Sequence, residues 1–230
     1  MQIIPAILPK NYEDLKNKLG LIRGLTQVVQ IDICDGVFVN NVTWPFDGGE
    51  YDEHFKNILN EEEGIPYWEE VDFELDLMVQ DAIDNFDIYL KLGPRRVVIH
   101  LEVADEYEEF KGFIEGIDNF VRDVTEIGVA FNPGVDMDKV YPLVNSLDFV
   151  QFMGINEIGF QGQDFDKSII EKIKLFKTEY PDVIVSVDGG VNLENAQALK
   201  DAGADRLVIG SAIFNSNDII GKVEEFNSLC

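Results

Sequence analysis

Eight short β-rich runs alternate along the chain with longer segments in which apolar residues recur at helical spacing. Alternation of this kind predicts βαβ units and a parallel sheet. Eight such units within 230 residues favour an α/β fold of the closed (β/α)8 TIM barrel type over a doubly wound open sheet. The predicted strands are residues 2–8, 27–33, 71–79, 96–101, 128–131, 149–153, 183–187 and 206–209. The predicted helices are residues 12–23, 81–92, 105–122, 136–146, 166–179, 193–202 and 217–227.

No linker or domain boundary interrupts this pattern, so residues 1–230 are predicted to form a single barrel domain. Only the connection 40–68 is long and irregular, and it contains the acidic run Glu61–Glu63. A long loop after a barrel strand is either a lid over the site or a surface insertion.

The charge of the chain excludes two classes of partner. Its net charge is -26, from 44 acidic and 18 basic residues, and such a surface repels nucleic acid and anionic lipid. The two cysteines, Cys34 and Cys230, form neither a disulfide framework nor a zinc-binding pattern. With no signal peptide and no apolar run long enough to span a bilayer, we expect a cytoplasmic protein.

Acidic side chains are predicted to meet at the carboxyl ends of the strands, where barrel enzymes place their catalytic groups. Asp32, Asp76 and Asp188 end the second, third and seventh predicted strands, and alternation puts Gln30 on the same face as Asp32. Three converging carboxylates raise one another's pKa values unless a cation lies between them. Any one of them alone is better explained as a loop cap, but three together indicate a functional site, with a metal ion as one candidate occupant.

Glycines follow the sixth, seventh and eighth predicted strands. Glycine lets the backbone approach a ligand closely, and helix N-termini attract anions. Barrel phosphate sites commonly use the loops after strands 7 and 8. Turns also favour glycine, so it is the recurrence after three consecutive strands that predicts a phosphate site. Its predicted residues are Gly159, Gly162, Gly189, Gly190, Gly210 and Ser211.

Motifs along the whole chain resemble those of the ribulose-phosphate 3-epimerase family. Pro5–Leu8 resembles the family's P-S-I-L, and Asp32–Asn41 resembles D-V-M-D-G-x-F-V-P-N. The other matching segments are 75–79 (LDLMV), 100–102 (HLE), 132–134 (NPG), 159–163 (GFQGQ), 187–191 (VDGGV), 203–205 (GAD) and 210–214 (GSAIF).

The resemblance implies an enzyme that epimerises a ketose phosphate at C3 through an enediolate. Asp32 and Asp188 match the two aspartates that move protons and bind a divalent metal. Their strands lie three steps apart around an eight-stranded ring, which suits acid and base on opposite faces of a substrate. Met78, Met153, Cys34 and His100 are expected near the site, with His100 as a hydrogen-bond partner rather than a ligand and Cys34 as a packing residue.

The departures from the family's motifs cluster in the site. Gln30 and Asp76 stand where the family has its two histidine ligands, and Gln161 stands where it has a glycine. The candidate ligands Gln30, Asp32, Asp76 and Asp188 all offer oxygen, which favours Mg²⁺ or Mn²⁺ over Zn²⁺. The alternative is a site without metal, in which Asp76 is neutral or hydrogen-bonded to Gln30.

Three hypotheses about function therefore stay open. The chain is an epimerase with an altered metal shell, a related isomerase or lyase acting on another phosphosugar, or a phosphosugar-binding protein without activity. Retention of both catalytic aspartates favours an enzyme, because a binding protein has no need of them. The resemblance also implies a homo-oligomer.

Overall fold

Ten strands lie within residues 1–104 and 106–229, the parts of the chain that the computed structural model describes. They are β1 (Gln2–Ile7), β2 (Val28–Cys34), β3 (Phe46–Asp47), β4 (Glu50–Tyr51), β5 (Asp72–Met78), β6 (Arg96–His100), β7 (Glu126–Phe131), β8 (Phe149–Met153), β9 (Ile184–Asp188) and β10 (Arg206–Ile209). All except β3 and β4 form one closed parallel barrel in the order β1-β10-β9-β8-β7-β6-β5-β2. The predicted (β/α)8 barrel is confirmed.

Helices connect the strands and cover the outside of the barrel. They are α1 (Tyr12–Ile22), α2 (Glu53–Leu59), α3 (Phe86–Leu90), α4 (Tyr107–Gly116), α5 (Asn119–Arg122), α6 (Ser168–Glu179), α7 (Leu193–Ala202), α8 (Ser211–Phe214) and α9 (Ile219–Asn227). Short 3₁₀ segments cover Leu101–Val103, Met137–Lys139 and Tyr141–Ser146. In the described parts of the chain, no helix has both the length and the apolar character that a membrane crossing requires.

Four predicted segments differ from the observed ones. The segment 81–92 is α-helical only over Phe86–Leu90, and the segment 105–122 is divided into α4 and α5. The segment 136–146 forms two 3₁₀ segments rather than one α-helix. Pro142 has no backbone N–H and is tolerated only in the first turn of a helix, so a continuous helix cannot run through it. The connection 40–68 is not irregular throughout, since it contains the hairpin of β3 and β4 and the helix α2. Residues 105 and 230, and with them the predicted start of the helix 105–122 and Cys230, lie outside the described residues.

The barrel strands are buried on both faces, and the two faces differ in chemistry. Ile31 and Ile33 of β2 and Leu75 of β5 pack in the apolar layer between the strands and the helices. Gln30 and Asp32 alternate with them and are also buried. On β2, alternation thus directs Gln30 and Asp32 into the barrel interior and Ile31 and Ile33 towards the helices.

Gly128 gives the barrel interior room for a phenyl ring. It pairs in register with Phe149 on β8, and a Cβ at Gly128 would lie 2.7 Å from Cε1 of that ring and closer still to its other edge atoms. The Arg206 guanidinium lies 4.8 Å from the ring centroid, which restricts how far the ring can move.

We predict that Gly128→Ala lowers the free energy of unfolding by about 1–3 kcal/mol through overpacking. The matched control is Gly112→Ala in α4, where an added Cβ meets no atom within 4 Å. That substitution should raise the free energy of unfolding by about 0.5–1 kcal/mol, because alanine is the better helix former. Urea unfolding of the three proteins measures both changes, and equal effects of the two substitutions would contradict the packing argument.

Candidate active site

Three aspartates meet inside the carboxyl end of the barrel. Asp32 on β2 and Asp76 on β5 are register partners, so their side chains lie side by side. Asp188 ends β9, which reaches β2 through β10 and β1. Asp76 is fully buried and Asp32 is 5% exposed. The structure thus brings together the three carboxylates that the strand-end argument selected.

The carboxamide of Gln30 lies between these carboxylates. Its Nε2 donates to Asp32 Oδ1 at 2.8 Å and to Asp188 Oδ2 at 2.8 Å. A longer contact of 3.5 Å reaches Asp76 Oδ2. The Oε1 of Gln30 is buried and finds no hydrogen-bond partner within residues 1–104 and 106–229. One amide group therefore joins the two aspartates that the resemblance assigns to proton transfer.

Asp76 is held by two further donors. His100 Nε2 lies 2.8 Å from Asp76 Oδ1, and Gln151 Nε2 donates to Asp76 Oδ2 at 3.2 Å. Both side chains are fully buried. His100 therefore lies where the sequence argument expected it, against a candidate ligand. Gln151 was missed, although a glutamine within the otherwise apolar strand β8 (FVQFM) is a signal that could have found it.

The carboxyl groups of Asp32 and Asp188 hold their protons more tightly than usual. Burial, with the charges of Asp188 and Asp76 added, raises the pKa of Asp32 well above its usual value. Burial and the charge of Asp76 raise the pKa of Asp188 from 3.8 to about 7. Burial alone would lower the pKa of His100, but its contact with Asp76 outweighs burial and raises it. Because their charges interact, Asp32 and Asp188 titrate as a pair.

The donor set fits a hard cation. Asp32, Asp76 and Asp188 each offer an oxygen, and these atoms lie within 4.8 Å of one another. Oxygens bound at about 2.0–2.6 Å to one Mg²⁺ or Ca²⁺ ion match that spacing. Gln30 now directs its N–H groups at the carboxylates, and a half-turn of the carboxamide would present Oε1 instead.

Above the aspartates, the strand ends and loops enclose a cavity of about 40 Å³. All six residues of the predicted phosphate site line it, as do Asp32 and Asp188. Met78 and Met153 line it as well, and Cys34 is buried in one cluster with them. Gly189 and Gly190 have φ of 98° and 66°, and a Cβ on Gly190 would lie 2.9 Å from the backbone of Phe165, so this turn requires glycine.

A helix start adjoins the same loop. Asn192 caps α7 by accepting from the N–H groups of Glu194 and Asn195. His54 lies away from the site and stacks on Tyr12 with ring centroids 3.8 Å apart.

Comparison with known proteins assigns the chain to a family. The model of the ribulose-phosphate 3 epimerase family matches residues 2–214. Ribulose-phosphate 3-epimerase of Schizosaccharomyces pombe is 27% identical over 222 residues, covering 94% of this chain and 87% of the relative. The enzyme of the same name from Bacillus subtilis is 27% identical over 224 residues, covering 95% and 94%.

Solved structures of other sugar-phosphate enzymes share the fold. A crystal structure of 3-hexulose-6-phosphate synthase superposes with a TM-score of 0.69 at 19% identity, covering 100% of this chain and 99% of that one. KGPDC from Streptococcus mutans, in complex with D-R5P, superposes with a TM-score of 0.71 at 12% identity, covering 99% and 96%. At these identities the likeness shows the fold alone.

The raised pKa values predict how stability depends on pH. A carboxyl group whose pKa rises on folding contributes stability that is complete below its unfolded pKa and is lost as pH rises through its folded pKa. For Asp188 this window runs from 3.8 to about 7. We therefore expect the free energy of unfolding of the metal-free protein to fall across this range.

Asp188→Asn should flatten that dependence, because the amide does not titrate. The control is Asp72→Asn, at the exposed beginning of β5, which should leave the slope unchanged. Urea unfolding in chelator at several pH values measures the slopes, and equal slopes for Asp188→Asn and the unmodified protein would refute the assignment.

Proposed function

Because the chain belongs to the ribulose-phosphate 3 epimerase family, we propose that it is an isomerase that epimerises a ketose phosphate at C3. The observation that carries the proposal is the pair Asp32 and Asp188. Their carboxylates come from β2 and β9, which lie three steps apart around the barrel, and both accept from the amide of Gln30 at 2.8 Å. The relatives named above as epimerases support the same reaction.

The two aspartates are proposed to act as acid and base. One carboxylate removes the proton from C3, and the electron pair of that bond passes through the C2–C3 unit to the carbonyl oxygen, giving an enediolate. The second aspartate, protonated, returns a proton to C3 from the opposite face and thereby inverts it. A pKa of about 7 for Asp188 supports this division, since an acid–base group works best with its pKa near the operating pH.

Asp32, Asp76, Asp188 and Gln30 are the residues that would hold a divalent cation. When bound there, the cation would supply positive charge that stabilises the negative charge developing on the substrate oxygens. The oxygen-rich donor set supports Mg²⁺ or Mn²⁺ over Zn²⁺. His100 and Gln151 fix the orientation of Asp76 through their hydrogen bonds.

The glycine-lined end of the cavity is the proposed phosphate site. Gly159, Gly162, Gly189, Gly190, Gly210 and Ser211 bring main-chain groups to its wall. Glycine backbone can approach an anion closely without lysine or arginine, which suits a chain of net charge -26.

Three broader expectations complete the proposal. The whole chain serves as one barrel with one phosphosugar site at the carboxyl ends of its strands. It works in the cytoplasm. It assembles into a homo-oligomer, for which the exposed apolar side chains Phe120 and Val124 are candidate contacts.

Exchange of the C3 proton tests the reaction. In deuterated water, the protein should incorporate deuterium at C3 of ribulose 5-phosphate and form the C3 epimer, and Asp32→Asn or Asp188→Asn should abolish epimerisation while leaving the fold intact. Asp72→Asn, at the opposite end of the barrel, should retain the full rate. Proton NMR follows exchange and epimerisation, and a near-normal rate of epimerisation in either site variant would remove that residue from the mechanism.

The same assay separates the alternatives. Exchange only with another ketose phosphate would establish a related enzyme with a different substrate. Binding without exchange for any ketose phosphate would establish a phosphosugar-binding protein.

Metal analysis tests the proposed ligands. Protein purified without chelator should contain Mg²⁺ or Mn²⁺, and Asp76→Asn should weaken Mn²⁺ binding in a calorimetric titration, because a carboxylate ligand is lost. Stoichiometric zinc would overturn the hard-cation preference. Absence of Mn²⁺ binding at millimolar concentration would establish a site without metal.

A further inference from the structure

The loop after β8 folds over the cavity and carries Gln161. Gly159 and Gly162 bound the central part of this loop and have φ of 87° and 82°, where glycine is favoured over other residues. Asn41 Nδ2 donates to Gly159 O at 2.7 Å, which ties the loop to the one after β2. The two residues between the glycines are thereby held across the mouth of the barrel.

The side chain of Gln161 packs against Gly210, which has no side chain of its own on this wall of the cavity. Its Nε2 donates to Ala6 O at 3.2 Å, so the carboxamide spans from the end of β1 to the end of β10. A Cβ at Gly210 would lie 2.6 Å from Gln161 Cδ and closer to Nε2. The carboxamide thus rests directly on the glycine backbone beside Ser211.

The space left beside this wall is narrow. The cavity of about 40 Å³ holds roughly three water molecules. Its boundary on the Gly210 side is the Gln161 carboxamide, whose donor group is already engaged by Ala6 O. A phosphate that is to reach the backbone at Gly210 and Ser211 must first displace this side chain.

We propose that Gln161 is a specificity-determining residue that occupies the place of the terminal phosphate and lowers affinity for it. The proposal rests on the assignment of a phosphosugar site in the proposed function. Gln161 competes with the phosphate for the same wall, so each binding event must break the hydrogen bond to Ala6 and move the carboxamide. The residue therefore sets the affinity for the phosphate end of the substrate and leaves the proton-transfer step unchanged.

Variants of Gln161 separate a competing side chain from a phosphate ligand. Gln161→Ala should tighten binding of inorganic phosphate by about threefold to tenfold, the range expected for one net hydrogen bond. With ketose phosphate, KM should fall by a similar factor at unchanged kcat. Gln161→Glu keeps the size of the side chain but adds a negative charge, so it should abolish measurable phosphate binding.

Calorimetric titration with inorganic phosphate measures these affinities without requiring turnover. The control is Gln197→Ala, the same change at an exposed position of α7, which should alter neither the phosphate affinity nor KM. Weaker phosphate binding by Gln161→Ala would show that the amide is a ligand, and unchanged binding would show that it lies apart from the phosphate; either result overturns the proposal.

The outcome for Gln161 is independent of the epimerase assignment. C3 exchange in the unmodified protein with no effect of Gln161→Ala would overturn the inference and leave the function standing. If Gln161→Ala binds phosphate more tightly but neither the unmodified protein nor the variant exchanges the C3 proton, the inference is upheld and the proposed epimerase function is overturned.

Discussion

Burial of three carboxylates at one end of a barrel is the constraint on which the rest of the site depends. Removing a charged carboxylate from water is costly unless a donor, a cation or a proton compensates it. Donors are supplied by the amides of Gln30 and Gln151 and by the His100 imidazole. Protons are held more tightly because the pKa values of Asp32 and Asp188 are raised. The oxygen spacing adds room for a cation.

This compensation explains how the barrel accommodates Gln30 and Asp76 where the resemblance implies histidines. Asp76 adds a carboxylate to the interior, and His100 and Gln151 each direct an N–H group at it. Gln30 places an amide where Asp32 and Asp188 would otherwise face each other directly. The departures are therefore parts of one hydrogen-bonded arrangement, and each is stabilised by its neighbours.

The two ends of the barrel use polar groups differently. At the amino end, Glu126 accepts from Arg96 at 3.1 Å and from Arg206 at 2.8 Å, and these neutralised pairs join β7 to β6 and β10. At the carboxyl end, the carboxylates have amide donors and no arginine among their hydrogen-bond partners in the described residues. Arginine side chains thus stabilise the strand contacts at the amino end. At the carboxyl end, the carboxyl groups are not paired with arginine within the described part of the chain and can exchange protons.

The sequence by itself determined the architecture, since strand and helix periodicities are local properties and eight βα units in this length close most readily into a barrel. It also selected Asp32, Asp76, Asp188 and the glycine loops, because parallel strands bring their carboxyl ends to one face. Only the tertiary structure decided that Gln30 bridges two aspartates, that Gln151 reaches Asp76, and that Gln161 covers Gly210. These contacts join residues from different strands and loops, and their distances depend on register, barrel closure and the path of each loop, none of which a local pattern encodes.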